Sequence, residues 1–121
     1  MAYDEGLAQI FRDDFTEIET VIEKKMFGGL CFMNRGHMLC GVHFKNGEDG
    51  VMFRVGPDNY DAAMALEGIG ELKFTGRPMK GLVEGLGEVL ADDNVRSQVL
   101  AMALAFTNNL PPKKPKVKKP R

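Results

Sequence analysis

The spacing of apolar and polar residues along the chain predicts its first and last helices. From Asp4 to about Glu23, apolar residues recur every three or four positions, which is typical of one face of an amphipathic helix. These residues are Leu7, Ile10, Phe11, Phe15, Ile18 and Ile22. A similar pattern starts after Asp92 or Asp93, either of which can cap a helix, and stops before Pro111. Its apolar face consists of Val95, Val99, Met102, Ala103, Phe106 and Leu110.

Two apolar runs on either side of Asn34-Arg35-Gly36 predict a β-hairpin. In the second run the core-facing positions are expected to be Met38, Cys40, Val42 and Phe44. A three-residue loop that pairs residue 33 with residue 37 would keep Leu30 and Phe32 on the same face. It would place Leu30 opposite Cys40, and Phe32 opposite Met38. We prefer this loop, because a two-residue loop would turn Leu30 and Phe32 outward.

The remaining pattern predicts three strands and one short helix. Residues 51–55 alternate as in a strand, with Val51, Phe53 and Val55 facing inward. A helix at about 58–67, capped by Asp58 or Asn59, leads to weaker strands at 71–75 and 82–86. The order is α-β-β-β-α-β-β-α. Because short connections favour antiparallel pairing, we predict a two-layer α+β domain over residues 1–110. It has an antiparallel five-stranded sheet with the helices on one face.

Composition indicates a soluble globular domain with an unusual final segment. Of the 121 residues, 44% are hydrophobic and 27% are charged, and no apolar run is long enough to cross a membrane. The first residues do not resemble a secretory signal, so we expect a cytoplasmic protein with reduced cysteines. Residues 111–121 hold six basic side chains and no acidic one, which leaves ten basic and 17 acidic residues in 1–110. We expect this Pro- and Lys-rich tail to be disordered.

Four motifs, in this order and with these spacings, resemble the TfoX N-terminal domain family. They are Lys24-Lys25-Met26-Phe27-Gly28-Gly29-Leu30, Phe53-Arg54-Val55-Gly56, Arg77-Pro78-Met79-Lys80-Gly81 and Leu110-Pro111-Pro112-Lys113-Lys114. The resemblance covers residues 4–114 and implies a compact α+β domain with an antiparallel sheet. It also implies a role in regulation, since full-length members are regulators of natural competence that promote transcription of DNA-uptake genes. Those regulators carry a second, C-terminal domain, and here the lysine tail stands where it would begin. The resemblance implies no catalytic residue.

The segment Phe74–Gly85 raises the possibility of a phosphate-binding loop. A P-loop requires a lysine and a hydroxyl residue after its second glycine, but neither follows Gly81. We therefore interpret the segment as a turn stiffened by Pro78. Arg77 and Lys80 remain candidate contacts for an acidic partner or a nucleic-acid phosphate. Candidate contacts of the same kind in the tail are Lys113, Lys114, Lys116, Lys118 and Lys119. Such binding would be non-specific and sensitive to salt. Alternatively, the tail is simply solvated or folds back on the acidic domain.

No pattern of residues predicts a catalytic, metal or cofactor site. His37 and His43 are six positions apart on one strand, or ~20 Å, so they cannot bind one ion together. In the preferred register Cys31 points outward and Cys40 inward, which excludes a disulfide, whereas the slipped register would bring them face to face. The only serine, Ser97, lies in a predicted helix without a Gly-x-Ser-x-Gly elbow. We therefore expect a protein that is not an enzyme and uses no cofactor.

The sheet face away from the helices is the main candidate for a functional surface. Its predicted contact residues are Cys31, Met33, Leu39, Met52 and Arg54. An exposed apolar patch that contains methionine is typical of a contact surface, unless a helix or the tail covers it. The sequence thus favours an interaction module that binds a protein partner or a second copy of itself as a homodimer. The alternative is an auxiliary, non-specific nucleic-acid binder that uses the tail with Arg77 and Lys80.

Overall fold

The computed structural model describes residues 3–26, 29–45, 47–74 and 77–111; at residues 45, 73–74, 77–80 and 87 it describes the backbone only. The strands are β1 (Val21–Met26), β2 (Gly29–Asn34), β3 (His37–Lys45), β4 (Glu48–Arg54), β5 (Ile69–Phe74) and β6 (Arg77–Leu86). The helices are α1 (Glu5–Asp14), α2 (Tyr60–Met64), α3 (Gly87–Leu90) and α4 (Asp93–Asn108), and a 3-10 turn at Pro57–Asn59 precedes α2.

The strands form one antiparallel sheet in the order β1-β2-β3-β4-β6-β5, so β1 and β5 are its edges. The predicted α+β class with an antiparallel sheet is confirmed. The predicted number of strands is wrong, because the described part of the chain forms six strands and not five. Within the same residues, no helix has the length and apolar character needed to cross a membrane.

The additional strand, β1, lies where the sequence predicts the second half of the first helix. Helix α1 begins with Asp4, whose side chain accepts a hydrogen bond from the Leu7 amide at 2.8 Å, and it ends at Asp14. The apolar spacing continues beyond that point, but residues 20–22 are all β-branched, which favours extended backbone. Ile22, predicted on the buried face of the helix, is 62% exposed on β1.

Other elements agree more closely with the pattern. Helix α4 follows the predicted N-cap Asp92, whose Oδ1 accepts a hydrogen bond from the amide of Asn94 at 2.9 Å. Helix α2 is shorter than predicted, and Asn59 donates to the carbonyl of Val55 at 3.2 Å instead of capping it. Helix α3 was not predicted. Phe44, expected in the core, is 52% exposed near the end of β3.

The β2–β3 hairpin closes with a two-residue turn, so the predicted three-residue loop is wrong. Asn34 pairs with His37, and the turn residues Arg35 and Gly36 have φ values of 56° and 87°. Positive φ at both central residues is what a type I′ turn requires. A regular ladder from this turn would turn the apolar side chains of β2 outward.

A bulge in β3 prevents that outcome. Phe32 pairs with Cys40 while the next residue of β2 pairs with Met38, so β3 contains one extra residue, Leu39. Leu30 and Phe32 therefore face the core as predicted, although each opposes a residue two positions later in β3 than expected. The two side chains of a bulge point to similar sides, and Leu39 accordingly lies in the core at 0% exposure.

The main core lies between the helices and one face of the sheet. Its strand residues include Leu30, Phe32, Cys40, Val42, Val51, Phe53 and Val83, and its helix residues include Leu7, Phe11, Ala63, Leu90, Val99 and Ala103. The ring centroid of Phe11 lies 6.2 Å from that of Phe32 and 5.9 Å from that of Phe53, which places α1 over this face. We call this the near face of the sheet and the opposite one the far face.

A buried polar cluster joins the end of α4 to β2. Asn34, which is fully buried, donates from Nδ2 to Thr107 Oγ1 at 2.8 Å and to Asn108 Oδ1 at 2.9 Å. Its Oδ1 accepts a hydrogen bond from the Thr20 hydroxyl at 2.8 Å. One side chain thus links α4, β2 and the segment that enters β1.

Candidate functional site

The far face carries a row of four residues that lie opposite one another on adjacent strands. They are Cys31, Gly41, Met52 and Glu84, on β2, β3, β4 and β6. A Cβ atom added to Gly41 would lie 3.3 Å from Cys31 Sγ and 3.4 Å from Met52 Cε. The Cys31 and Met52 side chains therefore lean over Gly41 from both sides and fill the depression that this glycine leaves.

A histidine lies beside this row and contacts the carboxylate of Glu84. His43 is opposite Gly50, where an added Cβ atom would lie 3.0 Å from His43 Cε1, so the imidazole covers the glycine backbone. His43 Nε2 lies 2.9 Å from Glu84 Oε2, which makes an ion pair when the imidazole is protonated. Both side chains are half-buried, and the contact between them fixes their positions on the far face.

The far face is not the exposed apolar patch that the sequence predicts. Cys31 is only 3% exposed and Met52 only 6%, although neither belongs to the main core. Leu39 does not lie on this face, because the bulge directs it into the core. Met33 and Arg54 are half-buried. The expected exposure is therefore wrong for three of the five predicted contact residues, Cys31, Leu39 and Met52.

Strand β1 is an exposed edge next to the far face. Residues 22–25 are all exposed, and among the described strands only β2 pairs with β1. On the near-face side Arg12 donates from Nε to Glu23 Oε2 at 2.8 Å, which ties β1 to α1. The periodicity of the sequence does not reveal this edge strand, because the apolar spacing of α1 continues through Ile18 to Ile22 and therefore predicts helix there. The β-branched run at 20–22 is the signal that could have revealed it.

Two side chains of the β2–β3 hairpin hold the chain where it leaves α4. Arg35 Nη1 donates to the carbonyl oxygen of Asn108 at 2.6 Å, and His37 Nε2 lies 2.6 Å from the carbonyl oxygen of Pro111. Together with Asn34, these two residues form what we call the hairpin clamp. The described part of the chain therefore ends, at Pro111, beside the β2–β3 hairpin.

Most of the candidate anion contacts fall outside the described residues. These are the tail residues Lys113, Lys114, Lys116, Lys118 and Lys119, and the same holds for the side chains of Arg77 and Lys80. The prediction that Arg77 and Lys80 lie in a turn between two strands is wrong, because both residues belong to β6, whose first residues pair with the end of β5. Because β3, β4 and β6 alternate in direction, the start of β6 lies at the same end of the sheet as the hairpin clamp. The structure thus brings the start of β6 and the origin of the tail to one end.

The cysteines lie on opposite faces, as predicted, and both are free thiols. Burial raises the pKa of the Cys31 thiol, and it raises the pKa of Cys40 well above the ordinary value. A buried neutral thiol is a poor nucleophile and a poor metal ligand. Within the described residues, no three His, Cys, Asp or Glu side chains form a group that could hold a metal ion.

An open groove of about 800 Å³ lies at the other end of the sheet, where β4 starts and β6 ends. Its described lining consists of Asp4, Gly6, Leu7, Ile10, Glu48, Asp49, Leu86 and Glu88. Among these residues the charged side chains are all carboxylates, and Asp4 is engaged in capping α1. Without a nucleophile or a histidine among them, these lining residues do not form a recognisable catalytic arrangement.

Comparison with known proteins shows the family of this chain. The sequence matches the family model of the TfoX N-terminal domain over residues 13–106, from the second half of α1 to the last turn of α4. Searches of the curated proteins and of the solved structures found no match. The family match covers more than half of the chain and includes all six strands. The chain therefore belongs to the TfoX N-terminal domain family.

Proposed function

We propose that this domain is a non-enzymatic, cytoplasmic regulatory module that binds another protein on the far face of its sheet. Membership of the TfoX N-terminal domain family supports a regulatory role. Transcription of DNA-uptake genes is the process that the resemblance implies. The observation that carries the proposal is that every described helix contributes to the core on the near face, so the far face is made of strand residues.

The chemistry of the far face suits a specific but modest contact. Cys31 and Met52 form a flat apolar strip over Gly41, and the His43–Glu84 pair lies beside it. A small apolar centre with a polar surround is typical of interfaces that form and dissociate. A partner would contact the half-buried Met33 beside the strip and place hydrogen-bonding groups near the His43–Glu84 pair.

Site-specific photo-crosslinking tests this proposal in the full chain. A photoreactive amino acid at Met33, half-buried beside the strip, would be compared with the same group at Gln98, exposed on α4. In extracts of the native cell we expect a discrete crosslinked protein from position 33 and none from position 98. The same product from both positions, or no product from position 33, would contradict a far-face contact.

The second candidate function is non-specific binding of nucleic acid. It is favoured by one observation, that the basic tail starts at the same end of the sheet as the strand that carries Arg77 and Lys80. The test is DNA binding at low salt by the full chain and by a variant whose five tail lysines are changed to glutamine. We expect binding that weakens steeply with salt and with the substitutions. Equal binding by both proteins would remove this candidate.

A further inference from the structure

We propose that β1 pairs antiparallel with β1 of a second copy, about a two-fold axis perpendicular to the sheet. The product is a dimer with one continuous sheet of twelve strands. This inference goes beyond the proposed function, because the dimer does not require a regulatory partner and the partner does not require the dimer.

The edge is open and carries an apolar side chain. Four consecutive residues of β1 are exposed, and Ile22 at 62% is one of three large apolar side chains that the described surface exposes strongly. An edge strand presents a row of backbone donors and acceptors that another strand can use. Beyond β1 the described residues supply no further strand.

The hydrogen-bond pattern limits how two copies can meet. The amide of Arg35 donates to the carbonyl of Thr20 at 3.1 Å, and these two positions continue the β1–β2 register. Hydrogen-bonded and non-bonded pairs alternate in an antiparallel ladder. Residues 22, 24 and 26 therefore bond to β2, and residues 21, 23 and 25 turn their amides and carbonyls to the open edge. Two copies can bond only in registers that bring these odd-numbered residues opposite one another.

Charge and apolarity favour one of the allowed registers. With Lys24 opposite itself, Glu23 lies opposite Lys25 of the partner subunit, and Ile22 lies opposite Met26 of the partner subunit. Each contact occurs twice because the axis is two-fold. In the neighbouring registers, either Glu23 or Lys25 opposes its own copy at the centre. Directly opposed like charges destabilise a sheet, whereas opposite charges and apolar pairs stabilise it.

Lysines on an edge strand commonly prevent pairing between molecules, so the charge pattern has to be weighed. Here the lysines follow Ile22 and Glu23 in the strand. In the favoured register each Lys25 lies opposite Glu23 of the partner subunit, so it attracts the second copy instead of repelling it. Lys24 remains as one like-charge pair on the axis. Its side chain lies on the solvated far face, where water and salt screen the repulsion.

The geometry has a structural consequence for the far face. A two-fold axis perpendicular to the sheet keeps the two far faces on one side and the two sets of helices on the other. The Cys31–Met52 strips of both copies would then belong to one extended surface.

Single cysteines test the register. Lys24→Cys places two thiols on the axis, in a non-bonded pair with Cα atoms ~4.5 Å apart, within the range that a disulfide spans. The background is Cys31→Ala, because Cys31 faces position 24 within the same chain. We expect rapid oxidation to a covalent dimer at position 24. Glu23→Cys and Lys25→Cys should crosslink at least tenfold more slowly, at the rate of a Glu17→Cys control. Equal rates at all four positions, or faster oxidation at 23 or 25, would overturn the proposed pairing.

A charge substitution tests the association without crosslinks. Lys25→Glu leaves the Arg12–Glu23 ion pair intact but turns both interface pairs into like charges. In sedimentation measurements of the full chain we expect at least tenfold weaker dimerisation, with unchanged circular dichroism. Lys113→Glu, in the tail, is the control with the same change of charge. A wild-type chain that stays monomeric at millimolar concentration, or a Lys25→Glu variant that dimerises as tightly as the control, would contradict the proposal.

Discussion

Asn34 occupies a position where an apolar residue would be expected, on the core side of a central strand. It makes three side-chain hydrogen bonds there, so its burial is compensated, and the chain enters β1 and leaves α4 beside it. Sequence reasoning assigned Asn34 to the turn, because asparagine is common in turns and the alternating pattern gives no sign of a buried amide. Asn34 contributes to the fold because the folded chain brings Thr107, from the end of α4, within hydrogen-bonding distance of its side chain.

Asn34→Ala should therefore be costly. The substitution removes the acceptor of the Thr20 hydroxyl and the donor to Thr107 and Asn108, and we expect a loss of about 2–3 kcal/mol in the free energy of unfolding. Urea denaturation measures it, with Asn109→Ala at the exposed end of α4 as the control. A loss below about 0.5 kcal/mol for Asn34→Ala would show that the cluster contributes little.

Cys40 should make stability depend on pH in the alkaline range. Its pKa is raised by burial in the folded protein, whereas the pKa of an unfolded cysteine thiol is about 8.5. The raised pKa means that stability is complete below this value and falls as pH rises above it, because only the unfolded state releases the proton.

We expect the free energy of unfolding to fall between pH 7 and pH 9.5 by about 1.4 kcal/mol more in the wild type than in Cys40→Val. Valine keeps the site apolar and does not titrate. Equal decreases in the two proteins would mean that the thiol is not shielded from solvent.

The strands and helices differ in how far the sequence specifies them. Helix α4 has a capping aspartate, a continuous apolar face and a proline beyond its end, so its bounds follow from local chemistry. Strand β1 was mistaken for helix because Ile18 and Ile22 continue the period of α1. The bulge at Leu39 has no local sequence signal. It forms because the two-residue turn alone would direct the apolar side chains of β2 away from the core, and this depends on how β2 and β3 pair.

Leu39→Ala distinguishes the observed register from the predicted one. With Leu39 in the core, the substitution should cost about 2–5 kcal/mol, because it removes buried contacts and leaves a cavity. An outward Leu39 would lose well under 1 kcal/mol. Thermal or urea unfolding gives the value, and Met33→Ala on the half-buried far face is the comparison.

Taken as one molecule, the domain depends on residues that precede the family match. The match starts at residue 13, but Leu7, Ala8 and Phe11 of α1 are buried in the main core. The rings of Phe15, Phe32 and Phe53 all lie next to that of Phe11. The start of α1, helix α4 and the α+β class could be predicted from sequence. The residues of the far face and the edge strand β1 could not be located in full, because both depend on the order and register of the strands.

A fragment limited to residues 13–106 should consequently fail to fold stably. It lacks Phe11, and loss of a buried phenylalanine alone costs about 3–5 kcal/mol, much of the stability of a typical domain. Circular dichroism and thermal melts would compare it with a fragment of residues 3–111. A cooperative transition of equal midpoint in both fragments would show that α1 is dispensable.

The hairpin clamp has a mechanical consequence for anything attached beyond Pro111. A pull on that segment would act first on Arg35, His37 and Asn34, and so on the two-residue turn between β2 and β3. The force would act on β2 and β3 before it could unwind the last turn of α4. A tether fused at this point should therefore resist unravelling for as long as the clamp holds.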